Sequence, residues 1–264
     1  MHPIERLRYV ARASGAAHEL LVRETASALA AFGSDPSGMV TACRRVVSRQ
    51  PASGPIWWLA ARVLTAPDPL QEAWAAVEEM QRDSTGRELV HALPQDATVC
   101  VLGWPATIGE ALIRRGDLEV LVIDALGEGS GLVHRLLMAD VDVVEVPPIG
   151  LGAAVVDADL VLLESSAIGP TEFLGVAGSR AAAATARHAE VPVWLVGGVG
   201  RLLPQRMWDT LVSRVGLDDP WDADDELVPI DLVDRLVGPA GPEPVAEGLK
   251  RVDCPVAPEL FKEL

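Results

Sequence analysis

Lysine is almost missing from this chain. Only Lys250 and Lys262 carry an ammonium among 264 residues, and 22 basic side chains face 38 acidic ones, for a formal charge of −16. That balance excludes a phosphate-tracking nucleic-acid surface, which needs clustered Lys and Arg. It argues equally against docking on anionic lipid. Cysteine is scarce too: Cys43, Cys100 and Cys254 are too few and too scattered for a disulfide framework or a zinc knuckle. Buried thiols in a reducing compartment are expected, with no metal and no cofactor. Long apolar runs are absent, because charges or prolines interrupt them well short of the roughly 20 residues a bilayer span needs. The start, Met1-His2-Pro3-Ile4-Glu5-Arg6, has no apolar export segment. A cytoplasmic chain without a membrane partner is expected. What is present, 49% hydrophobic and 23% charged residues, excludes general disorder and allows one large domain or two modest ones.

Residues 1–94 read as a helical unit. Leu20, Leu21, Ala26, Leu29 and Ala30 continue a helical period over 15–31, and Met39, Val40, Cys43, Val46 and Val47 share a face. The segment 33–38 reads as a turn, and 50–55 breaks the second helix. Ile56-Trp57-Trp58-Leu59 opens a third and Pro69 a fourth; Trp57, Trp58, Trp74 and Trp194 are expected in the core. Residues 95–264 alternate short apolar runs with helices. Strands are expected at Thr98–Leu102, Glu119–Ile123, Val141–Val146, Leu160–Leu163 and Val191–Val196, with helices at Ile108–Arg115, Leu132–Met138 and Arg180–His188. Continuous apolar strands with helices between them point to an open, Rossmann-like, mainly parallel sheet covered on both faces. Six acids between Asp218 and Glu226 read as a solvated loop, with no EF-hand pattern. Residues 227–237 read as a strand or short helix and 238–242 as a loop.

Ligands of such sheets sit at the carboxyl ends of the strands. That rule selects the loop holding Trp104, the loop of Gly127, Gly129 and Ser130, the loop at Pro147–Gly150, the strand end Glu164-Ser165-Ser166, and the loop of Gly198 and Arg201. The glycines read G-x-G-x-G rather than G-x-G-x-x-G, and Glu128 would face a pyrophosphate, so a tight strand-to-helix turn accounts for them better than a dinucleotide site. Free amides at that helix start could still hold an anion. Serine-nucleophile chemistry lacks its G-x-S-x-G frame. His188 reads as a helix-end cation.

The order of pieces resembles one family along nearly the whole chain. The residues concerned are Ser14-Gly15-Ala16-Ala17, Arg49-Gln50-Pro51, Ile56-Trp57-Trp58-Leu59, Ala158–Leu162, Gly178-Ser179-Arg180, Arg187-His188-Ala189-Glu190-Val191-Pro192-Val193-Trp194 and Glu226–Val233. The family joins the α, β and δ regulatory subunits of initiation factor 2B with the methylthioribose-1-phosphate and ribose-1,5-bisphosphate isomerases. The resemblance implies a helical subdomain before a Rossmann-like domain, a homodimer, and a crevice for a phosphorylated sugar or nucleotide lined here by Ser179, Arg180 and Arg201 with the loop residues above.

The departures from the isomerase pattern decide the functional expectation. Trp104 falls near their catalytic cysteine, and the loop holds no thiol. Their catalytic aspartate is replaced by Glu164-Ser165-Ser166, with the carboxylate two residues early. Their Asn-Lys pair becomes Gly175-Val176, and Ala125-Leu126-Gly127 offers no phosphate-binding arginine. Aldose–ketose isomerisation needs an acid and a base on either side of two carbons. The expectation is therefore a divergent, non-isomerase member that binds a small ligand or a protein partner. The alternatives are an altered isomerase using Glu164 as general base, and a structural or regulatory assembly subunit. Glu164 reads equally as a strand-end carboxylate bonded to backbone amides, and Arg201 as a surface residue.

Overall fold

The computed structural model describes residues 18–30, 32, 35–217 and 219–262. Ser14-Gly15-Ala16-Ala17, Gly33, Ser34 and Asp218, all used in the readings above, lie outside them. Among the described residues five helices come first: α1 His18–Ala30, α2 Pro36–Arg49, α3 Gly54–Thr65, α4 Pro69–Gln81 and α5 Thr85–Ala92. Two begin on the same device, an aspartate before a proline. Asp35 accepts from the Ser37 amide at 3.1 Å, and Asp68 from Leu70 and Gln71 at 3.2 and 3.0 Å. Each carboxylate satisfies orphan amides of the first turn, while proline at the first helical position loses no hydrogen bond. In α2 the buried residues Met39, Ala42, Cys43, Val46 and Val47 recur at helical spacing. Trp57 and Trp58 are fully buried in α3. Trp74 departs from expectation at 44% exposure, because α4 turns Ala73, Ala76, Val77 and Met80 inward and Trp74 falls outside that stripe. Trp194 is only partly buried.

The strands are β1 Thr98–Leu102, β2 Glu119–Ile123, β3 Asp142–Val146, β4 Leu160–Ile168, β5 Glu172–Val176, β6 Val193–Val196, β7 Asp225–Pro229, β8 Arg235–Gly238 and β9 Gly241–Pro244. Six pair in parallel in the order β3-β2-β1-β4-β6-β8, and β9 closes the far side antiparallel. The helices between them are α6 Ala106–Arg115, α7 Gly129–Leu137, α8 Leu151–Asp157, α9 Ser179–His188 and α10 Gln205–Val215. Successive strand residues point to opposite faces. Val99, Val101, Val120 and Val122 meet α5, α6 and α7, whereas Cys100, Leu102, Leu121 and Ile123 meet α8 and α9. The mainly parallel, doubly covered sheet is the one expected.

Four local expectations are corrected. β4 does not stop at Leu163; a bulge between Ser165 and Ala167 turns its outer half into a second ladder, antiparallel to β5, which in turn pairs with β7. β6 starts at Val193 rather than Val191. The span 227–237 divides into β7, a 3-10 turn at Ile230–Leu232 and β8, and in place of the expected loop 238–242 Gly238 ends β8, 239–240 turn and Gly241-Pro242 open β9. The second ladder joins the helices to the sheet: Ala167 and Leu174 share one core with Trp57, Trp58 and Leu59 of α3 and Met207, Trp208 and Leu211 of α10.

Candidate functional site at the carboxyl edge of the sheet

The chain leaves β1 toward β2 and β3, then returns to place β4 on the other side of β1. The crevice of an open sheet lies where the winding reverses, here between the ends of β1 and β4. Glu164 occupies that point. Its Oε2 accepts from the Thr107 amide at 2.9 Å and the Ile108 amide at 3.1 Å, and its Oε1 from the Thr107 hydroxyl at 2.9 Å. Arg201, from the loop after β6, donates Nη2 to the same Oε1 at 2.9 Å and Nη1 to the Ser165 carbonyl at 2.5 Å. The pair is buried, with side-chain exposures of 9% for Glu164 and 5% for Arg201. Glu164 thus stands where a bound anion would, on the first-turn amides of α6. Arg201 is its buried counter-ion, not a surface residue.

The neighbouring helix starts repeat the arrangement. Asp124 Oδ1, after β2, accepts from the Gly129 amide at 2.7 Å at the start of α7. Glu226 Oε1, on β7, accepts from the Arg180 amide at 2.9 Å at the start of α9. In the loop after β6, the Val199 amide donates at 2.9 Å to Asp83 Oδ2, whose other oxygen takes the Thr85 amide and hydroxyl at 2.9 and 2.6 Å. Four carboxylates from four parts of the chain therefore hold amides of the kind a phosphate would use.

The remaining candidate residues divide between this edge and the surface. Trp104 lies across the first turn of α7, so close to Gly131 that a Cβ there would come within 2.2 Å of the ring. Gly129 is buried by Asp124, while Gly127 and Ser130 are exposed. The Ser165 hydroxyl is buried and donates toward the carbonyls of Ala167 at 2.7 Å and Leu174 at 3.0 Å; that of Ser166 reaches the Leu174 carbonyl at 3.3 Å. Ser179 is buried against Gly175, the side chain of Arg180 is exposed, and Gly198 sits on the Asp83 carboxylate. The edge thus brings together Glu164, Ser165 and Arg201, and leaves Gly127, Ser130 and the Arg180 guanidinium apart. From sequence, Thr107, Asp124 and Glu226 receive no site role, although they fall in the candidate loops and the acidic run, and nothing points to Asp83. The signal for Thr107 and Arg201 was Glu164 itself, since a carboxylate ending an aliphatic strand must find donors.

Burial pushes the thiols of Cys43, Cys100 and Cys254 up to about 12, which removes nucleophilic sulfur from the chemistry at neutral pH. Burial, and secondarily Asp224, raises Asp225 in β7 to about 6. Among the described residues no group of three or more His, Cys, Asp or Glu side chains is placed to hold a metal ion. No helix among them is long and apolar enough to cross a membrane. A cavity of about 170 Å³ opens beyond the ends of β6 and β8, lined by Gly198, Gly200, Leu202, Leu236 and Pro239 among others.

This architecture has solved counterparts. The Pyrococcus horikoshii OT3 translation initiation factor eIF-2B superposes with a TM-score of 0.77 over 94% of this chain and 98% of that one, at 12% identity. The tetrameric eIF2B-beta2-delta2 complex from Chaetomium thermophilum contains a chain that superposes at 0.75 over 94% and 92%, at 18% identity. The chain has the eIF2B fold. Chaetomium thermophilum eIF2B beta alone covers 99% of this chain and 93% of its own length, at a TM-score of 0.68 and 19% identity. No protein-family profile matches the sequence, and no curated protein matches it. Likeness at these identities establishes the eIF2B fold, and function has to be argued from the crevice.

Proposed function

We propose that this chain is a non-catalytic, partner-binding protein on the eIF2B fold, acting in the cytoplasm as a homodimer or as a subunit of a larger assembly. One observation carries the reading: Glu164, paired with Arg201, fills the amide cradle at the reversal of the sheet. An isomerase base must have a lone pair free for a substrate proton, and a phosphorylated substrate needs unoccupied donors. Here the donors of α6, α7 and α9 already hold carboxylates of the chain itself. Two like charges in one cradle repel, so a phosphorylated sugar or nucleotide is disfavoured and a protein partner is the better occupant of the fold's surfaces. The tetrameric assembly of the Chaetomium thermophilum relative supports an assembly role by analogy of fold.

The test is direct. Purified protein is incubated with ribose-1,5-bisphosphate and with methylthioribose-1-phosphate while ketose formation is followed. Thermal unfolding is recorded in parallel with millimolar phosphorylated pentoses and nucleotides. No turnover and a flat melting temperature are expected. Turnover that disappears in Glu164→Gln would overturn the reading in favour of an altered isomerase. Sedimentation addresses assembly, and a monomer at all concentrations would remove the homodimer.

A further inference from the structure

Beyond the closed crevice, the sheet has an edge that no strand among the described residues pairs with. Among the described residues β3 pairs with β2 only, so one side of its backbone carries no ladder there. The Val146 carbonyl accepts from the Asp124 amide, on the β2 side. Alternate residues of a strand direct their backbone groups to opposite sides, so Val143 and Glu145 present amide and carbonyl outward. Such an edge is a template for another strand.

Two further observations single it out. Exposed large apolar side chains concentrate around it: Met138 is 75% exposed, Ile149 97%, Val144 46%, with Leu137 and Val156 exposed as well. The acids beside them, Asp140, Asp142, Glu145 and Asp157, are in no ion pair among the described residues. An apolar strip rimmed by uncompensated carboxylates fits a strand that alternates apolar and basic residues. It does not fit a second copy of this chain. Self-pairing would line two sets of those four acids along one seam, in a molecule already at −16.

We propose that the free edge of β3 is a docking site for an extended, lysine- or arginine-bearing segment of a partner protein. The segment adds as a strand on the backbone groups of Val143 and Glu145, sets apolar side chains beside Val144 on one face, and meets Glu145 on the opposite face with its cations. The inference rests on the partner-binding reading above and names its surface.

The test uses full-length protein and two labelled nonapeptides, one alternating valine with lysine and one alternating valine with glutamate, read by fluorescence anisotropy. The lysine peptide is expected to bind saturably, at least about tenfold tighter than its glutamate counterpart. Glu145→Pro deletes an outward amide and a charge without touching the bonds to β2, and should weaken binding by about tenfold or more. Glu145→Lys should reverse the preference between the peptides. Circular dichroism of each variant checks that the fold is retained. Equal binding of both peptides, binding indifferent to Glu145→Pro, or a wild-type dimer that dissociates in the lysine variant overturns the proposal. Any of those results leaves the closed-crevice reading standing, since turnover and phosphate binding report on that separately.

Discussion

Replacing Glu164 by alanine removes a carboxylate that accepts from the amides of Thr107 and Ile108, the Thr107 hydroxyl and the Arg201 guanidinium. An exposed ion pair is worth at most about 1 kcal/mol, but this one is not exposed. Breaking a buried pair from one side costs about 3–5 kcal/mol, because the surviving charge stays desolvated. Arg201 would keep only the Ser165 carbonyl of the partners described here. Loss of the cap on α6 belongs within that figure, at about 1 kcal/mol. Domain stabilities are about 5–15 kcal/mol, so the urea midpoint, followed by circular dichroism, should fall by about a fifth or more. Two additions make the result specific. Removing both charges together, as Glu164→Met with Arg201→Met, should recover much of the loss, since an apolar pair carries no desolvation penalty. Formate or phosphate should stabilise Glu164→Ala by up to about 2.7 kcal/mol at a hundredfold excess over its dissociation constant, while leaving the wild type unchanged beyond a general salt effect. A Glu164→Ala variant that loses less than about 1 kcal/mol, or that no anion rescues, would refute the view of Glu164 as a built-in anion.

The other expectations concern separate parts of the molecule. Asp225 is raised in the folded state to about 6, so the native protein holds its proton more tightly than the unfolded chain. Its contribution to stability is therefore full below the unfolded value near 4 and is lost as pH rises through about 6. Stability curves should show that decline, and Asp225→Asn should flatten it. The three thiols, pushed up to about 12 by burial, should react with a disulfide reagent at pH 8 only after unfolding, and rapid native labelling would contradict their placement. Gly131→Ala drives a methyl into the Trp104 ring and should cost about 1–3 kcal/mol in chemical denaturation; a neutral result would show that the ring does not lie there.

The lesson for reading such a chain lies in which residues answer to local rules. β1 and β2 match their apolar runs end to end, and Pro69 starts α4 because the preceding aspartate caps it. Trp74 has an apolar neighbourhood in the sequence but lies off the apolar face of α4, so it is exposed. β5 is not expected from sequence because Glu172-Phe173-Leu174-Gly175-Val176 is not an aliphatic run, and the strand or short helix read at 227–237 is resolved into β7 only by its pairing with β5, some fifty residues away. Part of the acidic loop likewise turned out to be β7, with Glu226 bonded to α9.

Composition and periodicity alone determined the class of fold, the helical start, the parallel strands and the excess of acid, because hydrophobic burial follows spacing along the chain. Tertiary structure decided what the acids do. Glu164 lies 57 residues from Thr107 and 37 from Arg201, and its meaning depends on winding that brings the ends of β1, β4 and β6 together. A strand-end carboxylate has one reading as a base facing a substrate and another as an ion already paired. Only the positions of its donors, fixed by distant segments, separate the two.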